Sequence, residues 1–168
     1  MNFPESILKG IPNKDFLSAD GYPLAYLFEF KDKTADRQDN NLETSICWKD
    51  DKNTINLVLN QKKNGELQFK AGVVPIHRSD VDRIKKLPRV RSQFSYERDK
   101  NPNLNNPYHG NLLLAKTCNK ILRTYIQTEL AMSCQEIITS ENMPMHNKRF
   151  QKVFCDIIQL LKKFKKNS

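Results

Sequence analysis

Between Ile46 and Val73 apolar side chains recur at every second position in three short runs. These are Ile46 and Trp48, then Ile55, Leu57 and Leu59, then Leu67, Phe69, Ala71 and Val73. A period of two belongs to strands with one buried face, so three such runs in succession predict an antiparallel meander. The turns test the register. A two-residue turn at Asn64-Gly65 sets Leu59 opposite Gln68 and Leu57 opposite Lys70, sending apolar groups to opposite faces. A three-residue loop, Lys63-Asn64-Gly65, sets Leu59 against Phe69, Leu57 against Ala71 and Ile55 against Val73. A one-residue slip inverts every side chain, so the second register is expected, with Gly65 at the left-handed position of a bulged type I turn. The turn over 50–53 then pairs Trp48 with Ile55 on the same face, and the other sheet face carries Asn56, Val58, Asn60, Gln68 and Lys70.

The flanking sequence extends this frame. A short helix is expected after Pro4 and a turn at Ala19-Asp20-Gly21, while Pro23–Phe30 alternates and reads as a strand. Residues 31–42 are nearly all polar and read as a mobile surface loop. Asp80–Leu87 is expected as a helix capped by Ser79 and ended by Pro88. Val90–Glu97 alternates again, residues 98–110 form a long loop with two Asn-Pro pairs, and Asn111–Ala115 is a short apolar strand. Two long helices close the chain. Thr117–Ile138 repeats Leu122, Ile126, Leu130, Cys134 and Ile137, widened by Ile121, Tyr125 and Met132; Asn147–Lys165 repeats Phe150, Val153, Phe154, Ile157, Leu160, Leu161 and Phe164. The expected fold is α+β: a twisted antiparallel sheet with a meander core and two long C-terminal helices packed on one face, in a single domain over 1–168.

Charge is the largest departure from average composition. Lys and Arg number 28 against 19 acids, a net charge of +9. Residues 83–91 carry Arg83, Lys85, Lys86, Arg89 and Arg91 with no acid, and residues 148–166 carry seven basic side chains against Asp156 alone. Such clusters suit a polyanionic partner, either nucleic acid or an acidic protein surface. No run of 18 apolar residues occurs, so no membrane span is expected. The first 25 residues lack the basic start and apolar run of a secretory signal, which points to the cytoplasm. Cys47, Cys118, Cys134 and Cys155 stand far apart, and with His77, His109 and His146 they make no zinc spacing. Reduced thiols, no metal and no cofactor are the expectation.

Motifs for catalysis are sparse. The chain has five glycines and no Gly-rich phosphate loop, no G-x-S-x-G and no H-E-x-x-H. One constellation carries chemistry: in Asn106-Pro107-Tyr108-His109-Gly110-Asn111, His109 has the chemistry of a general base and Asn111 that of a phosphate- or water-orienting amide. Glu97 and Arg98 would add a carboxylate and an anion clamp, making a small phosphodiesterase site. The plainer account, a turn whose His and Tyr seal the sheet edge, is preferred. Asp50-Asp51 and Asp80/Asp82 are likewise read as turn and cap residues rather than a magnesium pair. The leading expectation is a small, non-catalytic, nucleic-acid-contacting accessory or adaptor protein. Lys85, Lys86, Arg89, Arg91, Lys162 and Lys163 would meet phosphate, and Tyr108, Phe94 and Tyr96 would stack on bases. The alternatives are a protein–protein module using the last helix or an edge strand, and a nuclease centred on His109.

Overall fold

The computed structural model describes residues 5–32, 40–49, 53–98 and 106–142. Its centre is a five-stranded sheet in which every pairing is antiparallel. In chain order its strands are β1 (Ser6–Ile11), β2 (Asn41–Trp48), β5 (Gly72–His77), β6 (Phe94–Arg98) and β7 (His109–Ala115). Their spatial order is β5-β1-β2-β7-β6. With its helices the chain is therefore a mixed α and β protein on an antiparallel sheet. The order is not that of a meander.

The meander fails at its middle strand, because Thr54–Leu59 is a helix, α1. Its buried residues are Thr54, Ile55, Val58 and Leu59, a helical spacing, and Leu57 points outward. A short run with apolar side chains at Ile55, Leu57, Val58 and Leu59 fits both periods, and Val58 breaks the alternation in favour of the helix. The expected register is absent with that strand. Lys62–Lys63 (β3) and Glu66–Leu67 (β4) form a separate hairpin, pairing Lys62 with Leu67 and Lys63 with Glu66 across a two-residue turn. Asn64 and Gly65 have φ of 54° and 84°, the double positive φ for which Asn-Gly is the favoured pair. Asn56, Val58, Asn60, Gln68 and Lys70 consequently line no sheet face.

Other expectations shift for similar reasons. The segment after Pro4 is strand β1, not a helix; Ile7 and Leu8 are buried on opposite faces, as a strand near the sheet centre requires. Ala25–Phe28 is a 3-10 turn within the expected strand, with Leu27, Phe28 and Phe30 buried and Tyr26 exposed. Lys31 exchanges two backbone hydrogen bonds with Glu43 and β2 begins at Asn41, so both ends of the expected 31–42 loop are tied down; 33–39 lie outside the described residues. Gly21, at a φ of 82°, makes the turn expected there. β7 starts at His109 and β6 reaches Arg98, which shortens the long loop at both ends, and 99–105 lie outside the described residues.

Helix α2 (Arg78–Lys86) matches its expectation except at the start, where Ser79 lies inside the first turn and supplies no side-chain cap. Leu87 closes it ahead of Pro88, and Val90 is buried in the connection rather than paired in a strand. Helix α3 (Lys120–Met132) is capped by Asn119, whose side chain accepts from the Leu122 N–H at 2.9 Å. It stops six residues before the expected Ile138. Cys134 and Ile138 instead lie along the outer edge of β5 opposite Ile76 and Val73, and satisfy backbone groups that an open edge would leave unpaired. The second long helix, Asn147–Lys165, lies outside the described residues.

Two clusters hold the sheet. On one face Ile7, Ile11, Ile46, Trp48, Leu112 and Leu114 pack with Val81 and Ile84 of α2 and Ile126 and Leu130 of α3. On the other, Leu8, Cys47 and Val73 meet Ile55, Val58 and Leu59 of α1. No helix among the described residues is long and apolar enough to cross a membrane.

Candidate functional site

Strand β7 decides where the His109 constellation sits. Alternation sends Gly110, Leu112 and Leu114 to the α3 face and His109, Asn111 and Leu113 to the other. His109 is 8% exposed and Asn111 1%. Register pairing sets Cys47 opposite His109, and flanks Asn111 with Ser45 on β2 and Glu97 on β6. Asn106 Nδ2 donates to Cys47 Sγ at 3.3 Å. Burial pushes the Cys47 thiol above its ordinary value, outweighing the Asn106 hydrogen bond and the field of Lys9. Glu97 thus joins Asn111 on one face, but Arg98 turns to the opposite face, its guanidinium 5.9 Å from the Trp48 ring centre. The expected carboxylate and clamp are separated.

Beside this row the sheet splits. β1 and β2 pair only at Ile7–Trp48 and Leu8–Cys47, and beyond that point Lys9 spans the gap. Its Nζ donates to Thr44 Oγ1 at 2.7 Å and to the Ser45 carbonyl at 2.9 Å. A cleft of about 480 Å³ opens there, lined by Lys9, Thr44, Cys47, Phe69, Asn106 and His109. A thiol held above its ordinary pKa is a poorer nucleophile at neutral pH. Lys9, Thr44 and Cys47 could not be singled out from sequence, because their meeting depends on a pairing between strands 35 residues apart.

The basic stretch occupies a different part of the molecule. Lys85 is half-buried with its Nζ 5.1 Å from the Tyr96 ring centre, and Tyr96 donates its hydroxyl proton to Asp82 Oδ1 at 3.0 Å. Lys86, Arg89 and Arg91 are exposed on the end of α2 and the 87–93 connection. Asp80 and Asp82 are engaged by Arg83 and Arg78, as turn-by-turn ion pairs on α2. Among the described residues no three His, Cys, Asp or Glu side chains gather as a metal site would need.

None of the aromatic candidates stands exposed beside Lys86, Arg89 and Arg91. Phe94 is buried, Tyr96 is held under Lys85, and Tyr108 packs against the α1 cluster on the far face of the sheet. A different aromatic does. Arg89, Ser92 and Gln93 of the connection and Ile121, Leu122 and Tyr125 of α3 line a groove of about 840 Å³. Ile121 is 84%, Tyr125 44% and Met132 76% exposed. These three were expected to widen the buried face of the helix. At 100° per residue they fall within about 40° of one another, and opposite Ile126 and Leu130, so a helical wheel holds the signal. The Tyr125 hydroxyl donates to the Glu129 carboxylate, and partial desolvation together with that bond pushes its pKa up. Glu129 in turn accepts from Arg83 Nη1 at 3.0 Å. Lys120 stands exposed at the start of α3. Lys162 and Lys163 lie outside the described residues.

No protein-family model matches this chain, and comparison with curated proteins and with solved structures likewise finds no match.

Proposed function

We propose that this chain is a small, non-catalytic, nucleic-acid-contacting protein that serves as an accessory or adaptor in a larger assembly. The observation that carries the reading is the grouping of exposed Lys86, Arg89 and Arg91 on one turn beside a groove that also holds the exposed Tyr125. Asp80 and Asp82 of α2 and Glu129 of α3 are paired with Arg78, Arg83 or Tyr96, which leaves Lys86, Arg89 and Arg91 as the exposed charges of the turn. Exposed cations meet phosphates without reading sequence, which gives affinity with little base preference. Cys47, Cys118 and Cys134 as thiols are in keeping with a reducing cytoplasm.

Binding to labelled RNA and DNA across a salt series tests this. A steep negative slope of log affinity against log salt is the expected result, and flat or absent binding at low salt rejects it. A second reading, a protein–protein module, is favoured by the uncharged outward face of α3 formed by Ile121, Tyr125, Thr128 and Met132. Binding of that kind would depend on Met132 and be insensitive to salt.

A further inference from the structure

We infer, resting on the nucleic-acid reading above, that the groove between the 87–93 connection and α3 takes unpaired bases, so that the partner is a single strand rather than a duplex. The grounds are in the shape and chemistry of that groove. In a duplex each base presents only its edge, because its faces are covered by its neighbours in the stack. An exposed aromatic ring is therefore of use only to a base that has been released. Tyr125 is such a ring. Its hydroxyl has Glu129 as a partner, and Glu129 accepts from Arg83, so the ring has neighbours on the α3 surface while 44% of the residue stays exposed. A side chain with such partners loses less freedom on binding than an unrestrained one.

The surroundings suit a stacked base and its phosphate. Ile121 stands one turn before Tyr125 on the same side of α3 and extends the apolar platform, with Leu87 and Pro88 on the facing wall. Arg89 lines the same groove, and Lys86 and Arg91 stand exposed on the same short stretch of chain. A base lying on Tyr125 would carry its phosphate toward Arg89. The volume of about 840 Å³ is within the range of pockets that enclose small organic groups and leaves room for more than one base. The turn that bears the cations and the helix that bears the ring are both packed on the sheet, through Val90 and through Ile126 and Leu130. Platform and clamp are thus anchored in the same buried cluster.

The test compares fluorescein-labelled 20-nucleotide single strands, in RNA and in DNA, with duplexes of the same length at one fixed low salt concentration. Wild-type protein is expected to bind the single strand at least tenfold more tightly than the duplex. Tyr125→Ala should weaken single-strand binding by roughly tenfold, the loss of about one stacked base, and leave duplex binding unchanged. Tyr125→Phe keeps the ring and should retain most of the affinity. Arg89→Glu should weaken both substrates. Because the Tyr125 ring is exposed, Tyr125→Ala is expected to fold, and its circular dichroism melt confirms this. Equal binding of single strand and duplex, or a Tyr125→Ala variant that binds like wild type while salt-sensitive binding persists, overturns the inference and spares the nucleic-acid reading. Absence of binding to every probe at low salt overturns both.

Discussion

The indole of Trp48 lies directly on the backbone of Gly110, two strands brought together by the β2–β7 pairing. Its Nε1 reaches past that glycine to donate to the Glu97 carbonyl on β6 at 3.3 Å, so one side chain of β2 ties together three strands. Tyr96 closes on the ring edge-on at 5.5 Å and Arg98 covers it. The arrangement is possible only because residue 110 has no Cβ: one added there would overlap both the indole and the Glu97 carbonyl.

Gly110→Ala therefore overpacks a fully buried site and should cost roughly 1–3 kcal/mol, by forcing the indole off its rotamer or the strands apart. Trp48 is the sole tryptophan and is wholly buried, which makes its fluorescence a direct probe of the change. A urea midpoint for Gly110→Ala equal to that of wild type would show that the indole does not rest on this glycine.

The outward face of α3 makes an opposite forecast. Ile121 and Met132 contribute little to the core, so Ile121→Lys and Met132→Lys should each change stability by no more than about 0.5 kcal/mol, as exposed substitutions do. Had these residues covered the sheet, burying a lysine would be severely destabilising. Thermal melts of the two variants separate the cases, and Ile126→Lys supplies the positive control because that residue is fully buried.

These contrasts show what the sequence made legible. Helical periods and the strongest stop and turn signals were readable: α2 before Pro88, α3 around Ile126 and Leu130, the apolar strand ending at Ala115, and the turn at Gly21. Short apolar runs were not, because Ile55–Leu59 satisfies a strand and a helix alike, and tertiary packing against Leu8 and Val73 decides between them. The centre of the sheet was hidden for a related reason. β1 is buried on both faces and shows no alternation, so nothing in Ser6–Ile11 marks it as a strand. Charge alone singled out the basic stretch, of which Lys86, Arg89 and Arg91 are exposed and Lys85 is half-buried. Its aromatic neighbour was not, because the meeting of Tyr125 with Arg89 depends on how α3 crosses the sheet.

Buried thiols give the fold a signature at alkaline pH. Burial raises the Cys47, Cys118 and Cys134 thiols, Cys134 to about 12. An unfolded thiol titrates near 8.5, so above that pH the unfolded state gives up protons that the folded state keeps. The stability associated with the neutral Cys134 is fully present below about pH 8.5 and is lost as pH rises toward 12. Urea midpoints should fall between pH 8 and 10 by more in wild type than in Cys134→Ala, once each is referred to its own value at pH 7. Identical slopes would show that Cys134 is not held protonated by the fold. Alkylation of the native protein at pH 7.5 should be correspondingly slow at all three positions and become fast in denaturant.

The cations of the 86–91 turn should be countable. Each phosphate neutralised by a Lys or Arg contributes about 0.7–0.9 to the slope of log affinity against log salt. Replacing Lys86, Arg89 and Arg91 together with Gln should therefore flatten that slope by about 2–3 and weaken binding to all sequences alike. Lys85 is a different case. Its Nζ is committed to the Tyr96 ring, so Lys85→Gln should reduce the slope less than any of the three and lower stability slightly through the lost cation–π contact. Tyr108→Ala should leave affinity untouched, since that ring packs against α1 on the opposite face of the sheet, away from the turn. A slope reduced equally by Lys85→Gln and Arg89→Gln would mean that the polyanion spreads over the whole of α2. A loss of affinity in Tyr108→Ala at unchanged stability would move the contact surface to the other face altogether.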